Sequence, residues 1–397
     1  MTRPLGRGLS RVCRWVGAAF LIFLAVELLC NIWIRFLSSD EAFLKYASLA
    51  QICRGERPLE YCVNVPFGLY PVPGYEQDNN RINAQGFRGE ELTIPKPDDL
   101  FLIACLGGSS TYDEGVNDSS KTYPARLQAE LRQQGWRVEV VNAGTPGWCS
   151  RETLLNYATR VMYLDPDLLI LYHGINDLLW RCVWPPEKYR SDYVDPHLIY
   201  PEFMVRTLLK DLACIRIPLI ALGRAYSPSE LWAGSEPEFW GVNVATFVLQ
   251  HVEGTYPSGI FEHVSLQQIF EANSPLYYQR NLENLVIMAD HRGTGVLLAS
   301  FGLDNISFEQ LVGEDKGQFY YGLDQMNDAV RAVAETTPAH FFDFAAVMPD
   351  KQEYWADWVH NSEAGAAEKA RLFADYVIEN RLIPQRFRQP DSEVVVE

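Results

Sequence analysis

The chain has 397 residues, enough for one large domain with a short anchor or for two smaller domains. With 48% hydrophobic and 21% charged residues, it has the composition of a folded globular protein rather than a disordered one. Its 34 basic and 51 acidic residues leave a net charge of −17, which disfavours nucleic acid or anionic lipid as a partner of the globular part.

The chain opens with Arg3, Arg7, Arg11 and Arg14, followed by the apolar run Trp15–Ile34, with only Arg35 close behind it. Twenty residues make a helix of about 30 Å, which matches the hydrocarbon thickness of a bilayer. The basic flank places the N-terminus in the cytoplasm and the rest of the chain across the membrane, periplasmic or extracellular. A cleaved signal peptide is the competing reading, but the run is long for one, no small-x-small site stands directly after it, and Leu29 precedes Cys30 where a lipoprotein site needs a small residue. Residues 1–36 are therefore expected to be a cytoplasmic stub and an uncleaved single-pass anchor, the protein's link to the membrane. Glu27 and Asn31 share one face of this helix. The simpler reading gives Glu27 no role beyond reaching toward the interface; a helix–helix contact is the other.

Residues 37–98 read as a linker or N-terminal extension with little periodicity, in which Tyr70–Gly74 must be turn or extended. Cys53 and Cys62 are close enough in sequence to pair in an oxidising compartment, or to remain thiols. The eight cysteines form no CxxC pair and have no zinc-finger spacing. There is also no dinucleotide fingerprint, P-loop or HExxH run. The expectation is no cofactor and no metal.

From Asp99 the pattern changes. Phe101–Leu106, Arg137–Val141, Leu168–Tyr172, Gly295–Ser300 and Phe341–Phe344 read as buried strands. Tyr123–Gln134, Arg151–Val161, Asn281–His291, Leu323–Glu335 and Asn361–Asn380 read as helices between or after them. This alternation implies a parallel sheet covered on both faces, with ligands bound beyond the C-terminal strand ends. Residues 178–275 interrupt it as an insertion or cap, whose aromatic stretch Trp180–Tyr200 reads as its own core, with a stacking surface for sugars or acyl chains as the alternative. The segment Pro384–Glu397 reads as a frayed tail.

Four blocks stand at strand ends. In Leu106-Gly107-Gly108-Ser109-Ser110-Thr111, glycines permit a tight turn that exposes a serine hydroxyl. Val141-Asn142-Ala143-Gly144-Thr145-Pro146-Gly147 ends on a glycine with an N–H able to face an anion. Tyr172-His173-Gly174-Ile175-Asn176-Asp177 offers an asparagine amide as an oxyanion donor. In the same block, His173 reads as a packed strand-end residue, with lining of the pocket as the alternative. Asp357-Trp358-Val359-His360 lets one loop hold a carboxylate and an imidazole together. Each block taken alone is also ordinary turn composition.

Together and in this order, the blocks resemble those of the SGNH hydrolase superfamily, the GDSL esterases and lipases, over roughly residues 80–380. The lead-in Asn83-Ala84-Gln85-Gly86-Phe87-Arg88-Gly89 is similar to the segment before the first block in envelope-associated members. The resemblance implies a flavodoxin-like three-layer α/β/α sandwich with a parallel sheet, occupying residues 99–383 with the insertion inside it and residues 384–397 as tail. It implies Ser109 as nucleophile, His360 as base and Asp357 as its orienting partner. The oxyanion hole would comprise the backbone N–H groups of Ser109 and Gly147 and the Asn176 side chain. One departure is that Gly108 stands where the family commonly has Asp, and Ser110 is a second serine beside the first. The implied activity is hydrolysis of a carboxylic ester, such as an O-acetyl group, on a small molecule or glycan. O-acyl transfer on envelope glycans at the same site and non-catalytic glycan binding or assembly are the alternatives. Nothing in the sequence sets an oligomeric state.

Overall fold

The computed structural model describes residues 6–48, 51, 61–64, 68–182, 186, 189, 191, 212–224, 265–307 and 316–389. Cys53 lies outside them, as does most of the 178–275 insertion. The chain forms two compact units, Met1–Leu59 with Asp195–Ser235, and Glu60–Val194 with Glu236–Glu397.

In the first unit the helix Gly6–Ile32 runs on into a π-helical turn, Trp33–Leu37. Within it Arg14–Leu37, 24 residues of mean hydropathy 2.1 and mostly exposed, is long and apolar enough to cross a membrane, a test that a signal sequence also passes. Glu27 has more to do than the simpler reading allowed. Its carboxylate accepts the backbone N–H groups of Ala213 at 2.9 Å and Cys214 at 2.8 Å, and Asn31 donates to it at 2.8 Å. The first N–H groups of a helix lack intrahelical acceptors, so a carboxylate there caps the helix Ala213–Ala221. Arg216 of that helix donates to the Tyr46 carbonyl at 2.8 Å and to Gln51 at 3.1 Å.

The second unit begins with two small antiparallel hairpins, β1 (Tyr61–Asn64) with β2 (Gly68–Pro71) and β3 (Glu76–Gln77) with β4 (Asn80–Arg81). The main sheet follows: β5 (Phe101–Gly107), β6 (Val138–Asn142), β7 (Leu168–Tyr172), β8 (Gly295–Ala299) and β9 (His340–Phe342). Its order is β6-β5-β7-β8-β9, every pairing parallel, which is the flavodoxin-like 2-1-3-4-5 arrangement. Every residue of β5 and of β7 is buried, so their sequences are unbroken apolar runs, as a sheet covered on both faces requires. The helix Tyr123–Gln133 packs with the closing helix Glu363–Glu379. The helix Leu276–His291 packs with Ser150–Thr159 and with Lys316–Thr336.

The elements deviate from expectation mainly at their ends. The helix expected from Asn281 starts at Leu276, because Tyr278 is buried and donates to the His173 carbonyl at 3.0 Å. Such a tertiary contact outweighs the modest helix propensity of tyrosine. The strand expected over Phe341–Phe344 ends at Phe342, and Phe344 opens a short helix. The tail is not frayed at its start. Phe387 is buried edge-on against Phe101 at 5.2 Å, and its carbonyl accepts from Arg137 N–H at 2.8 Å.

Order 2-1-3 puts the topological switch point between β5 and β7, where a crevice opens beyond the strand ends. Ser109 follows β5 and Asn176 follows β7.

Candidate active site

Ser109 begins a one-turn helix, Ser109–Tyr112, directly after β5 and the Gly107-Gly108 pair. A side chain at Gly108 would place a Cβ 2.8 Å from the Asn176 amide nitrogen and 3.0 Å from the Trp148 carbonyl, so the absence of a side chain lets these groups sit this close to the turn. The backbone N–H of Ser109 makes no hydrogen bond among the described residues, as expected at a helix N-terminus.

The second and third blocks meet at the same place. Gly147 has φ +75°, a left-handed conformation that glycine adopts without strain, and its N–H is likewise unpaired among the described residues. Asn176 donates one amide proton to the Trp148 carbonyl at 2.8 Å. That bond fixes the amide and leaves its second proton available. Asp177 pins the neighbouring helix by accepting from Ser150 N–H at 2.9 Å and from the Ser150 hydroxyl at 2.5 Å. His173 takes the packed role. It is buried beside Thr153, with Nε2 2.6 Å from the hydroxyl, and burial pushes its pKa down to about 3, which keeps the ring neutral.

The fourth block is self-contained. Asp357 accepts from Val359 N–H and His360 N–H, both at 2.8 Å, through Oδ1, and contacts His360 Nδ1 at 2.7 Å through Oδ2. Nδ1 is thereby the proton-bearing nitrogen. His360 Nε2 is buried and has no hydrogen-bond partner among the described residues. Burial opposes charge on His360, but Asp357, then Glu114 and Asp113, outweigh it and hold the pKa above the ordinary value of 6.5. Burial likewise opposes charge on Asp357, yet its bonds to His360 and Val359 bring the pKa below the ordinary 3.8. Glu114 stands 3.6 Å from His360 Nε2.

The two serines separate by their hydroxyls. Ser110 donates to the Val359 carbonyl at 3.4 Å, tying the turn after β5 to the Asp357–His360 loop. The Ser109 hydroxyl makes no hydrogen bond among the described residues. The turn that carries Ser109 thus abuts Asn176 and the Trp148 carbonyl next to Gly147 through Gly108, and Ser110 ties it to the loop of Asp357 and His360.

Sequence reasoning passed over the groups beneath the turn. Arg88, buried, donates to the carbonyls of Tyr112 and Asp113 at 3.0 Å each and to that of Val116. Lys369, fully buried, donates to the Ser110 carbonyl at 2.8 Å. A signal for the latter was present. Ala366, Ala370, Phe373 and Val377 mark the inward face of the closing helix, and Lys369 stands among them.

The sequence profile of the GDSL-like lipase/acylhydrolase family matches residues 105–368. A lipase/acylhydrolase from Enterococcus faecalis is 15% identical, with 73% of this chain and 100% of that chain covered, at a TM-score of 0.40. A variant of an acetyl-xylooligosaccharide esterase from Geobacillus Stearmophilus is 18% identical over 69% of this chain and 92% of its own, at a TM-score of 0.38. No curated protein sequence matches.

Proposed function

We propose a serine-esterase mechanism from one premise: this chain belongs to the GDSL-like lipase/acylhydrolase family and is an ester-hydrolysing enzyme. Ser109 is the nucleophile. A serine hydroxyl is weakly nucleophilic near neutral pH and needs a base within reach. His360 Nε2 accepts the Ser109 proton as the oxygen attacks the acyl carbon. Asp357 holds the ring in the right tautomer and stabilises the imidazolium that forms. The carbonyl oxygen, now an oxyanion, is met by the N–H groups of Ser109 and Gly147 and by the second amide proton of Asn176. Collapse of the tetrahedral intermediate expels the alcohol, which takes the proton back from His360. Water, deprotonated by the same nitrogen, then releases the acid and restores Ser109.

The observation that carries this reading is His360 Nε2, buried and without a hydrogen-bond partner among the described residues while Asp357 engages Nδ1. A histidine in a surface turn would face solvent with that nitrogen. The substrate is a small acyl ester, with O-acetyl groups on an envelope or extracellular glycan as the class suited to an anchored enzyme facing away from the cytoplasm. In this scheme residues 1–36 form the anchor and residues 99–383 the hydrolase domain.

Hydrolysis of p-nitrophenyl esters of graded acyl length by the intact protein in detergent tests both parts. Activity greatest on acetate, lost in Ser109→Ala and retained in Ser110→Ala, is the expected result. Equal rates for wild type and Ser109→Ala would remove Ser109 from the role, and a preference for long chains would remove acetyl esters.

A further inference from the structure

Two fully buried ionisable groups, Asp113 and Lys369, lie under the nucleophile turn and take no part in the mechanism above. Lys369 belongs to the helix Glu363–Glu379, which starts directly after the His360 loop. Its Nζ donates to the Ser110 carbonyl at 2.8 Å and sits over the rings of Tyr172 at 3.7 Å and Tyr123 at 4.1 Å. Asp113 caps the other end of the turn. Its φ of +71° is unusual outside glycine, its N–H donates to the Ser109 carbonyl at 2.7 Å, and Oδ2 accepts from Tyr123 N–H at 2.6 Å. Asp113 Oδ1 is buried with no hydrogen-bond partner among the described residues.

A lysine in this position is costly, because desolvating an ammonium is repaid only by good partners. A methionine would fill the same space without that cost. What the ammonium adds is a charge-assisted bond to the peptide immediately after the nucleophile, roughly twice as strong as a neutral one. The same helix carries the base loop at its N-terminal end. One rigid element therefore touches both halves of the site.

We propose that Lys369 is a positioning residue that holds the Ser109 turn in register with His360. The inference rests on the serine-esterase reading. Because the bond depends on a charge, its strength depends on pH. Burial lowers Lys369 to about 7, against the attraction of Asp113 and Cys105, and raises Asp113 to about 6, against Lys369, Tyr123 N–H, Arg88 and His360. The other groups facing Lys369 stay neutral through this range: burial pushes the Cys105 thiol up to about 12 and raises the Tyr123 and Tyr172 phenols above their ordinary range. The sign follows. Loss of the His360 proton raises the rate, and loss of the Lys369 proton lowers it.

The test is the rate of phosphonylation by a fluorophosphonate probe, measured with the full chain between roughly pH 6 and 9, a window that brackets both groups. Wild type should give a bell. Asp113→Asn/Lys369→Met removes both charges, and asparagine tolerates the left-handed conformation at position 113. This variant should lose the descending limb and react roughly tenfold or more slowly at its maximum, as misplacement of a nucleophile does. Its thermal midpoint should be no lower than that of wild type, since apolar replacement of buried charges is often neutral or stabilising. A wild-type bell retained in the variant overturns the proposal, as does a wild-type profile without a descending limb. A slower variant that melts earlier and keeps the limb overturns it too, by showing a merely structural role. Failure of wild-type protein to react at all is a different result, because it sinks the esterase reading itself.

Discussion

The two halves of the proposed active site are built in opposite ways. The Asp357–His360 loop makes itself: within four residues one carboxylate accepts two backbone N–H groups and contacts the imidazole. The nucleophile turn is instead held from a distance. Arg88 clamps the carbonyls of Tyr112, Asp113 and Val116, Lys369 reaches the Ser110 carbonyl, and Asn176 and Trp148 close on Gly108. A base must be oriented and tuned, which neighbours in sequence can do. A nucleophile must stand at one point relative to a base and three donors, and only long-range contacts fix such a point.

Substitutions separate these two modes of construction. Ser109→Ala should remove ester hydrolysis altogether while leaving the fold unchanged by circular dichroism. Asp357→Asn should lower kcat by about 10⁴-fold, because the amide stabilises the wrong imidazole tautomer while preserving the loop's shape. A loss of only a few-fold would show that Asp357 serves the loop and not the chemistry. Asn176→Ala should lower kcat by roughly 10²–10³-fold with KM little changed, since its donor is used fully only in the transition state. An equal rise in KM would place Asn176 in ground-state binding instead.

The smallest effect concerns Glu114. It is one of the groups raising His360, so Glu114→Gln should move the ascending limb of the kcat/KM–pH profile to lower pH and leave the descending limb in place. A shift to higher pH, or none, would remove Glu114 from the electrostatics of the base.

The same contrast explains what could be read from the sequence. The sheet was legible because β5 and β7 are unbroken apolar runs with glycine or polar residues at their ends. The Asp357–His360 pair was legible because its geometry is local. Arg88 and Lys369 were not read as parts of the site, since the former acts on carbonyls 24 to 28 residues away and the latter 259 residues away. Helical spacing did put Lys369 on an apolar face, but spacing does not say which carbonyl lies opposite. Glu27 was misjudged for the same reason, because the N–H groups it caps are 186 and 187 residues further on. Helix starts shifted where a side chain such as Tyr278 found a tertiary partner that local propensity does not encode.

The central claim is that Ser109, and not the adjacent Ser110, receives the acyl group through His360. Tandem mass spectrometry of the full-length protein after reaction with a fluorophosphonate maps this directly. The account predicts a single adduct on Ser109, formed far more slowly in His360→Ala. An adduct on Ser110, or one on Ser109 that forms equally fast without His360, would contradict it.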